Sequence, residues 1–361
     1  MRLTSRIARP AVCGVVLACM GMVGCDSGGS PVATTAASAA PGTFVPGDGD
    51  RSGLVDIGGR RTVYLDCRGA GSPTVVFVSG RTDRADIWST VAKPQQPGPA
   101  VYPGVATFTR VCAYDRPGTV TITGDNVEVS RSPPVPQPTT AADGVADLHA
   151  VLMAAKVPGP YVLVAHSFGG LIARLYAAQY PEQVSGLVLV DTLTELLYDR
   201  LTPQQQAWWI ALNSVYSPDL EHYLVQEKTN FVPTFQSLRT APALRPMPVV
   251  VLKSDQSSMY DLQPYADEGR LPPGIPISFG PVIFAADVAA QRELADRLGA
   301  MFIPDTNATH YVQTQQPQLV INSIRHVVDQ VRQVPDPDGL SFTPQPNPAL
   351  DTATTATPTT R

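Results

Sequence analysis

Residues 159–192 read GPYVLVAHSFGGLIARLYAAQYPEQVSGLVLVDT. Two apolar β-type runs, YVLVA and GLVLVD, flank a segment, GGLIARLYAAQY, in which apolar residues recur at helical spacing. Ser167 stands where the first strand meets the helix, with Ala165 two positions before it and Gly169 two positions after. A serine on so sharp a strand-to-helix turn has a strained backbone, so only small residues fit those two flanking positions. The helix beyond it aims its first N–H groups and the positive end of its dipole at the same point, which favours a developing oxyanion. The pattern A-x-S-x-G differs from G-x-S-x-G by one methyl group, a sterically tolerable change. In this setting it predicts a nucleophile elbow with Ser167 as nucleophile; the alternative is a structural turn serine.

The alternation of strand and helix continues in both directions. Towards the N-terminus, GLVDIGG and RTVYLDC predict a hairpin, TVVFVS and RVCAYD short apolar strands, and TAADGVADLHAVLMAAK a helix. Towards the C-terminus follow the strand PVVVL at 248–252, the helix DVAAQRELADRLG, the short strand AMFIP and a last helix, QLVINSIRHVVDQVRQ. Strands alternating with helices predict an α/β domain whose mainly parallel sheet is covered on both faces. No internal repeat interrupts the pattern.

The two ends differ in character. Residues 1–24 carry Arg2, Arg6 and Arg9 ahead of an uncharged apolar run too short to span a bilayer, which reads as a secretory signal peptide. It ends in Met22-Val23-Gly24-Cys25, resembling a bacterial lipobox in which the cysteine is lipidated and becomes the mature N-terminus; lipid on Cys25 would tie a soluble domain to the outer face of the cell membrane. The alternative is an ordinary signal with an incidental cysteine. Residues 25–48, rich in Ser, Ala, Thr, Gly and Pro, read as a flexible tether, and the Pro- and Thr-rich residues 334–361 as a disordered tail. A domain of residues 49–333 remains, long enough for one large α/β unit with an insertion. Signal cleavage removes three basic and no acidic residues, leaving the mature chain more acidic than its formal −5. That balance argues against electrostatic binding of nucleic acid or anionic lipid head groups. Of the five cysteines only Cys67 and Cys112 fall in the domain. An even pair in an exported protein points to a disulfide, with two buried thiols as the alternative. No further Cys or His lies near enough in sequence to suggest a metal site.

The chain is identified as a member of the α/β-hydrolase superfamily from about Leu54 to Arg332. It most resembles bacterial lipoprotein hydrolases with a C-R-G…R-V-C-A-Y-D-R-P-G pattern, present as Cys67-Arg68-Gly69 and Arg110 through Gly118. The resemblance implies a mostly parallel eight-stranded sheet with helices on both faces and a helical cap, here residues 192–246. It also makes the second and fourth strands neighbours, which sets Cys67 beside Cys112.

The superfamily's general base follows the last short strand. His149 and His326 lie in helices, His222 in the cap and His166 beside the nucleophile with its side chain directed away. His310, in TNATHYVQTQQPQLV, sits in a strand–helix loop and resembles the family's G-H-x-x-x-x-x-x-P pattern, with Thr309 replacing the glycine and Pro317 closing it. His310 is the expected base. Asn307-Ala308-Thr309 matches a glycosylation sequon, discounted because a sugar there would block the histidine. Two aspartates compete to orient the imidazole. Asp255 follows the strand after which most members carry the acid, whereas Asp191 ends GLVLVD, the position used by haloalkane dehalogenases. Asp191 is favoured, with Asp255 as the alternative.

Oxyanion donors are expected from the amides of Phe168, directly after the nucleophile, and Arg81, in SGRTDR after the third strand. Relatives read H-G-x there; Ser79 replaces the histidine. The Arg81 side chain either binds a substrate carboxylate or faces water. Trp208 and Trp209 point about 100° apart on a cap helix, so one packs on the domain while the other lines a pocket, or both only pack. The expected function is that of a serine hydrolase acting on a small-molecule or lipid ester, without metal or organic cofactor. Amidase, perhydrolase or C–C hydrolase chemistry on the same triad is one alternative, and a non-catalytic ligand-binding lipoprotein another.

Overall fold

The computed structural model describes residues 41–333 except 48, 93–96, 124–125 and 215–225. The expected signal peptide, Cys25, most of the expected tether, the expected tail and His222 lie outside the described residues. The described residues contain ten strands: β1 (Arg51–Gly58), β2 (Arg61–Arg68), β3 (Thr74–Val78), β4 (Val111–Tyr114), β5 (Val120–Thr123), β6 (Asn126–Val129), β7 (Tyr161–His166), β8 (Val184–Val190), β9 (Val249–Leu252) and β10 (Met301–Ile303). The helices are α1 (Val101–Ala106), α2 (Ala141–Ala154), α3 (Gly169–Gln179), α4 (Glu195–Asp199), α5 (Pro203–Asn213), α6 (Phe231–Thr240), α7 (Gln263–Asp267), α8 (Phe279–Leu298), α9 (Val312–Gln315) and α10 (Pro317–Gln333).

Eight strands form one sheet in the order β1-β2-β4-β3-β7-β8-β9-β10, while β5 and β6 make a separate hairpin. Within the eight-stranded sheet the β1–β2 and β2–β4 pairs are antiparallel, and the pairs β4–β3, β3–β7, β7–β8, β8–β9 and β9–β10 are parallel; the β5–β6 hairpin is antiparallel. This is the α/β-hydrolase arrangement expected from the sequence. The parallel strands are apolar at nearly every position because both faces are covered. Val76, Val78, Leu163, Ala165, Leu187 and Leu189 face a core shared with α2, α3 and α8. Their neighbours Val75, Phe77, Val162, Val164, Val188 and Val190 face the opposite core, with α1 and α10. The two-residue period of a strand thus divides one apolar run between two cores.

Cys67 and Cys112 are register partners across β2 and β4 and are joined by a disulfide, with Cα atoms 4.1 Å apart. Two boundaries differ from expectation. The packed chain begins by residue 42, not 49: Phe44 is buried, its N–H donates to Leu54 O (2.9 Å), and Leu54 N–H donates to Gly42 O (2.8 Å). Gly53 permits this approach, since a Cβ there would lie 2.5 Å from Gly42 O. One anchoring aromatic in a Gly- and Pro-rich stretch leaves no periodic signal. Helix α8 also starts eight residues before the expected DVAAQ segment, at Phe279. Pro281 is harmless in a first helical turn, where N–H groups lack partners anyway, and Gly280 is required because a Cβ would strike Tyr260 O.

Candidate active site

Ser167 follows β7, Asp191 follows β8, and His310 lies in the loop between β10 and α9. Ser167 leaves β7 with φ of +52°, in the left-handed region that non-glycine residues seldom occupy, and α3 starts two residues later. The turn fits only because its neighbours are glycines. A Cβ on Gly169 would lie 2.3 Å from Val78 O, and one on Gly170 would overlap Thr192. Backbone bonds from Ser167 N to Val190 O (3.3 Å) and from Leu193 N to Ser167 O (2.9 Å) lock the elbow to the end of β8. The serine is only partly buried, and its hydroxyl makes no hydrogen bond with a described residue.

Asp191, directly after β8, also lies at positive φ, +42°. Its carboxylate is fully engaged. One oxygen is 2.7 Å from His310 Nδ1, and the other accepts from Lys253 Nζ (2.8 Å) and from Ser254 N–H (3.0 Å). Burial opposes ionisation of Asp191, but the Lys253 ammonium and the His310 hydrogen bond outweigh it and hold the carboxyl far below its ordinary value. His310 is buried, and that burial, reinforced by His166, pushes its imidazole below the ordinary 6.5 against the pull of Asp191. A neutral imidazole with Nδ1 bonded to a carboxylate leaves Nε2 as the atom able to accept a proton. The other candidate acid, Asp255, does not reach His310. It accepts from the N–H groups of Asn307 (3.0 Å) and Ala308 (2.9 Å), bracing the loop that carries His310.

His166 is fully buried beside the nucleophile. Its Nε2 donates to His310 O (2.9 Å) and its ring lies 4.5 Å from the His310 ring, so it links the histidine loop to the residue preceding Ser167. Its Nδ1 is 3.6 Å from Asp83 Oδ2. His149 stacks on Tyr180, and His326 lies on α10, away from the site.

The loop after β3 abuts the serine: a Cβ on Gly80 would be 3.2 Å from Ser167 Cβ. Ser79, in the family histidine's position, accepts from Trp88 Nε1 (3.0 Å) and donates to Arg84 O (3.2 Å). A buried ion pair grips the same loop from behind. Arg116 donates to Ser79 O (2.7 Å) and Gly80 O (2.5 Å) and pairs with Glu227 (2.7 Å), whose other oxygen accepts from Thr82 N–H (2.6 Å). The carbonyls on either side of the Gly80 amide, and the amide after Arg81, are therefore fixed by charged partners.

The Arg81 guanidinium reaches the cap. It donates to Asn213 O (2.7 Å) at the end of α5 and lies 5.6 Å over the Phe231 ring, tying the loop to the cap. Both tryptophans pack. Trp209 is buried among Tyr198, Phe231 and Phe235, and Trp208 meets Phe279 of α8 edge-on at 5.4 Å. Among the described residues no group of three or more His, Cys, Asp or Glu is arranged to hold a metal ion, and no helix is long and apolar enough to cross a membrane.

A model of the alpha/beta hydrolase family matches residues 75–323, which contain Ser167, Asp191 and His310. The chain belongs to the alpha/beta hydrolase family. Among curated relatives, this chain is 28% identical over 173 residues to a probable transporter, efuK, of Hormonema carpetanum, covering 46% of this chain and 22% of that one. It is 44% identical over 66 residues to a pimeloyl-[acyl-carrier protein] methyl ester esterase of Chromobacterium violaceum, covering 18% and 24%. It spans about a quarter of the length of these relatives. Similar solved structures include Cfl2 of Burkholderia cenocepacia, at TM-score 0.49, 18% identity and coverage of 79% of this chain and 99% of that one. Another is a thermophilic esterase of Thermogutta terrifontis, at 0.44, 18%, 78% and 98%.

The sequence reading missed Arg116, Glu227 and Lys253. Arg116 lies inside the quoted Y-D-R-P-G pattern, and Lys253 directly follows the run PVVVL, where a lysine is conspicuous; Glu227 has no local signal.

Proposed function

We propose that this chain is an exported, lipid-anchored serine hydrolase that cleaves carboxylic esters through an acyl-enzyme. Ser167 Oγ attacks the ester carbonyl while His310 Nε2 takes its proton. Asp191 holds Nδ1–H and stabilises the imidazolium. The amides of Phe168 and Arg81 receive the tetrahedral oxyanion. His310 then protonates the departing alcohol, and a water activated by the same imidazole releases the acid.

The observation that carries this reading is the buried 2.7 Å contact between Asp191 and His310 beside a serine held at positive φ on a strand–helix elbow. The ester class draws support from the methyl ester esterase relative, and the anchor from the lipobox-like residues ending at Cys25. The catalytic part is tested with p-nitrophenyl esters of graded acyl length. Hydrolysis is expected from the wild type and none above background from a folded Ser167→Ala variant; equal turnover by the two would overturn the assignment. The anchor is tested by detergent phase partitioning of the full chain expressed in a bacterial host. The wild type is expected in the detergent phase and Cys25→Ser in the aqueous phase.

A further inference from the structure

Lys253 is buried to 1% exposure at the point where β9 leaves the sheet. Its backbone is pinned on both sides: N–H donates to Ile303 O (2.9 Å), and C=O accepts from Thr306 Oγ1 (3.0 Å). The ammonium is therefore aimed by the sheet, unlike a surface lysine on a mobile stem. It donates to Asp191 Oδ1 (2.8 Å), to Ser254 O (3.0 Å) and to Ser254 Oγ (2.8 Å), and it pairs with Asp287 of α8 at 3.1 Å. Asp287 accepts in turn from Tyr260 O–H (2.8 Å), and the Phe284 ring lies 5.4 Å from Nζ. An unbroken chain runs Tyr260–Asp287–Lys253–Asp191–His310 through the interior.

We infer that Lys253 is a positioning residue for the proposed triad, fixing which Asp191 oxygen faces His310 and moderating the negative charge that the imidazole meets. The inference rests on the reading of Ser167, His310 and Asp191 as that triad. A carboxylate has two equivalent oxygens. With one oxygen held by Lys253 and the Ser254 amide, the other is left to His310 Nδ1. The charges complete the argument. Two carboxylates face one ammonium, so the cluster carries one surplus anion, which imidazolium formation balances. Without Lys253 both carboxylates would act on His310 unopposed, and the histidine would stay protonated to higher pH. The remaining groups facing His310 are His166, bonded to its carbonyl and backed by Asp83, and Tyr311. Burial disfavours the Lys253 ammonium, yet Asp191 and Asp287 hold it protonated well above the ordinary value. The cation therefore persists across the working range.

The test is the rate at which a fluorophosphonate probe labels the purified full chain, measured against pH. The variants are Asp287→Asn and Lys253→Met/Asp287→Asn, with folding checked by near-ultraviolet circular dichroism. The double variant removes one charge of each sign and leaves an amide for Tyr260. Its acid limb is expected to move up by about one pH unit, with a plateau rate about tenfold lower. Asp287→Asn alone leaves the Lys253 charge less compensated, so its limb moves down by a few tenths of a unit. Opposite displacements distinguish charge tuning from a structural role, which would lower both plateaus and move neither limb. An unmoved limb in the folded double variant overturns the inference. Should that variant fail to fold, an unmoved limb in Asp287→Asn overturns it. Labelling that survives Ser167→Ala removes the triad reading itself and the inference with it, an outcome separate from either of these.

Discussion

Two buried cations flank the candidate site and differ in what they touch. Arg116 lies behind the oxyanion loop and donates to backbone carbonyls, with Glu227 from the cap segment as its counter-ion. Lys253 donates to Asp191, the carboxylate whose other oxygen faces His310. Both need charged partners, since an unpaired buried ion is strongly destabilising. The first arrangement fixes geometry: no group it grips is expected to change protonation during the reaction. The second also fixes geometry, but its charge is felt by His310. Removing either cation should slow the reaction, and only the second should alter its pH dependence.

The largest expected effect lies on the histidine side. Asp191→Asn keeps the shape but supplies the wrong partner for Nδ1–H, and kcat should fall by ~10⁴. Asp255→Asn disturbs only the brace on the Asn307 and Ala308 amides and should cost less than about tenfold in kcat by the same comparison. Steady-state kinetics on one ester ranks the two, and a larger loss in Asp255→Asn would reverse the acid assignment. On the oxyanion side, Glu227→Gln keeps a hydrogen-bond acceptor but leaves Arg116 uncompensated. It should lower kcat by about 10- to 100-fold, less than deleting an oxyanion donor outright, with KM little changed. A plot of log kcat against pH should run parallel to that of the wild type; a displaced limb would erase the contrast between the two cations.

The wild-type pH profile carries its own sign. Because the folded His310 lies below 6.5, its neutral base form is complete above that value and is lost as pH falls through the depressed one. The acid limb of kcat/KM should therefore fall below pH 6.5, and a limb above it would contradict the electrostatic account. The smallest effect on catalysis belongs to the disulfide, which joins β2 to β4 away from both cations. Cys67→Ala/Cys112→Ala should reduce unfolding free energy by about 2–4 kcal/mol in a denaturant titration while leaving kcat within about twofold.

What was legible in the sequence follows from the range of each interaction. The alternation of strands and helices and the Ser167 elbow rest on periodicity and on small residues at fixed offsets, so local stretches contain them, whereas the strand order was implied by the family resemblance. His310 and Asp191 were expected from where the family resemblance places a base and an acid, while the 2.7 Å contact between them appears only in the coordinates. Arg116–Glu227 and Lys253–Asp287 join residues far apart in the chain, and their meaning appears only when the ends of β4 and β9 meet the cap and α8. Phe44 was missed for a related reason: one buried ring has no period.

Labelling of the full chain with a fluorophosphonate, followed by peptide mapping by mass spectrometry, tests the central claim most directly. One stoichiometric adduct on Ser167, abolished by His310→Ala, is the predicted result. No adduct on the folded protein, or an adduct on another residue, would contradict it.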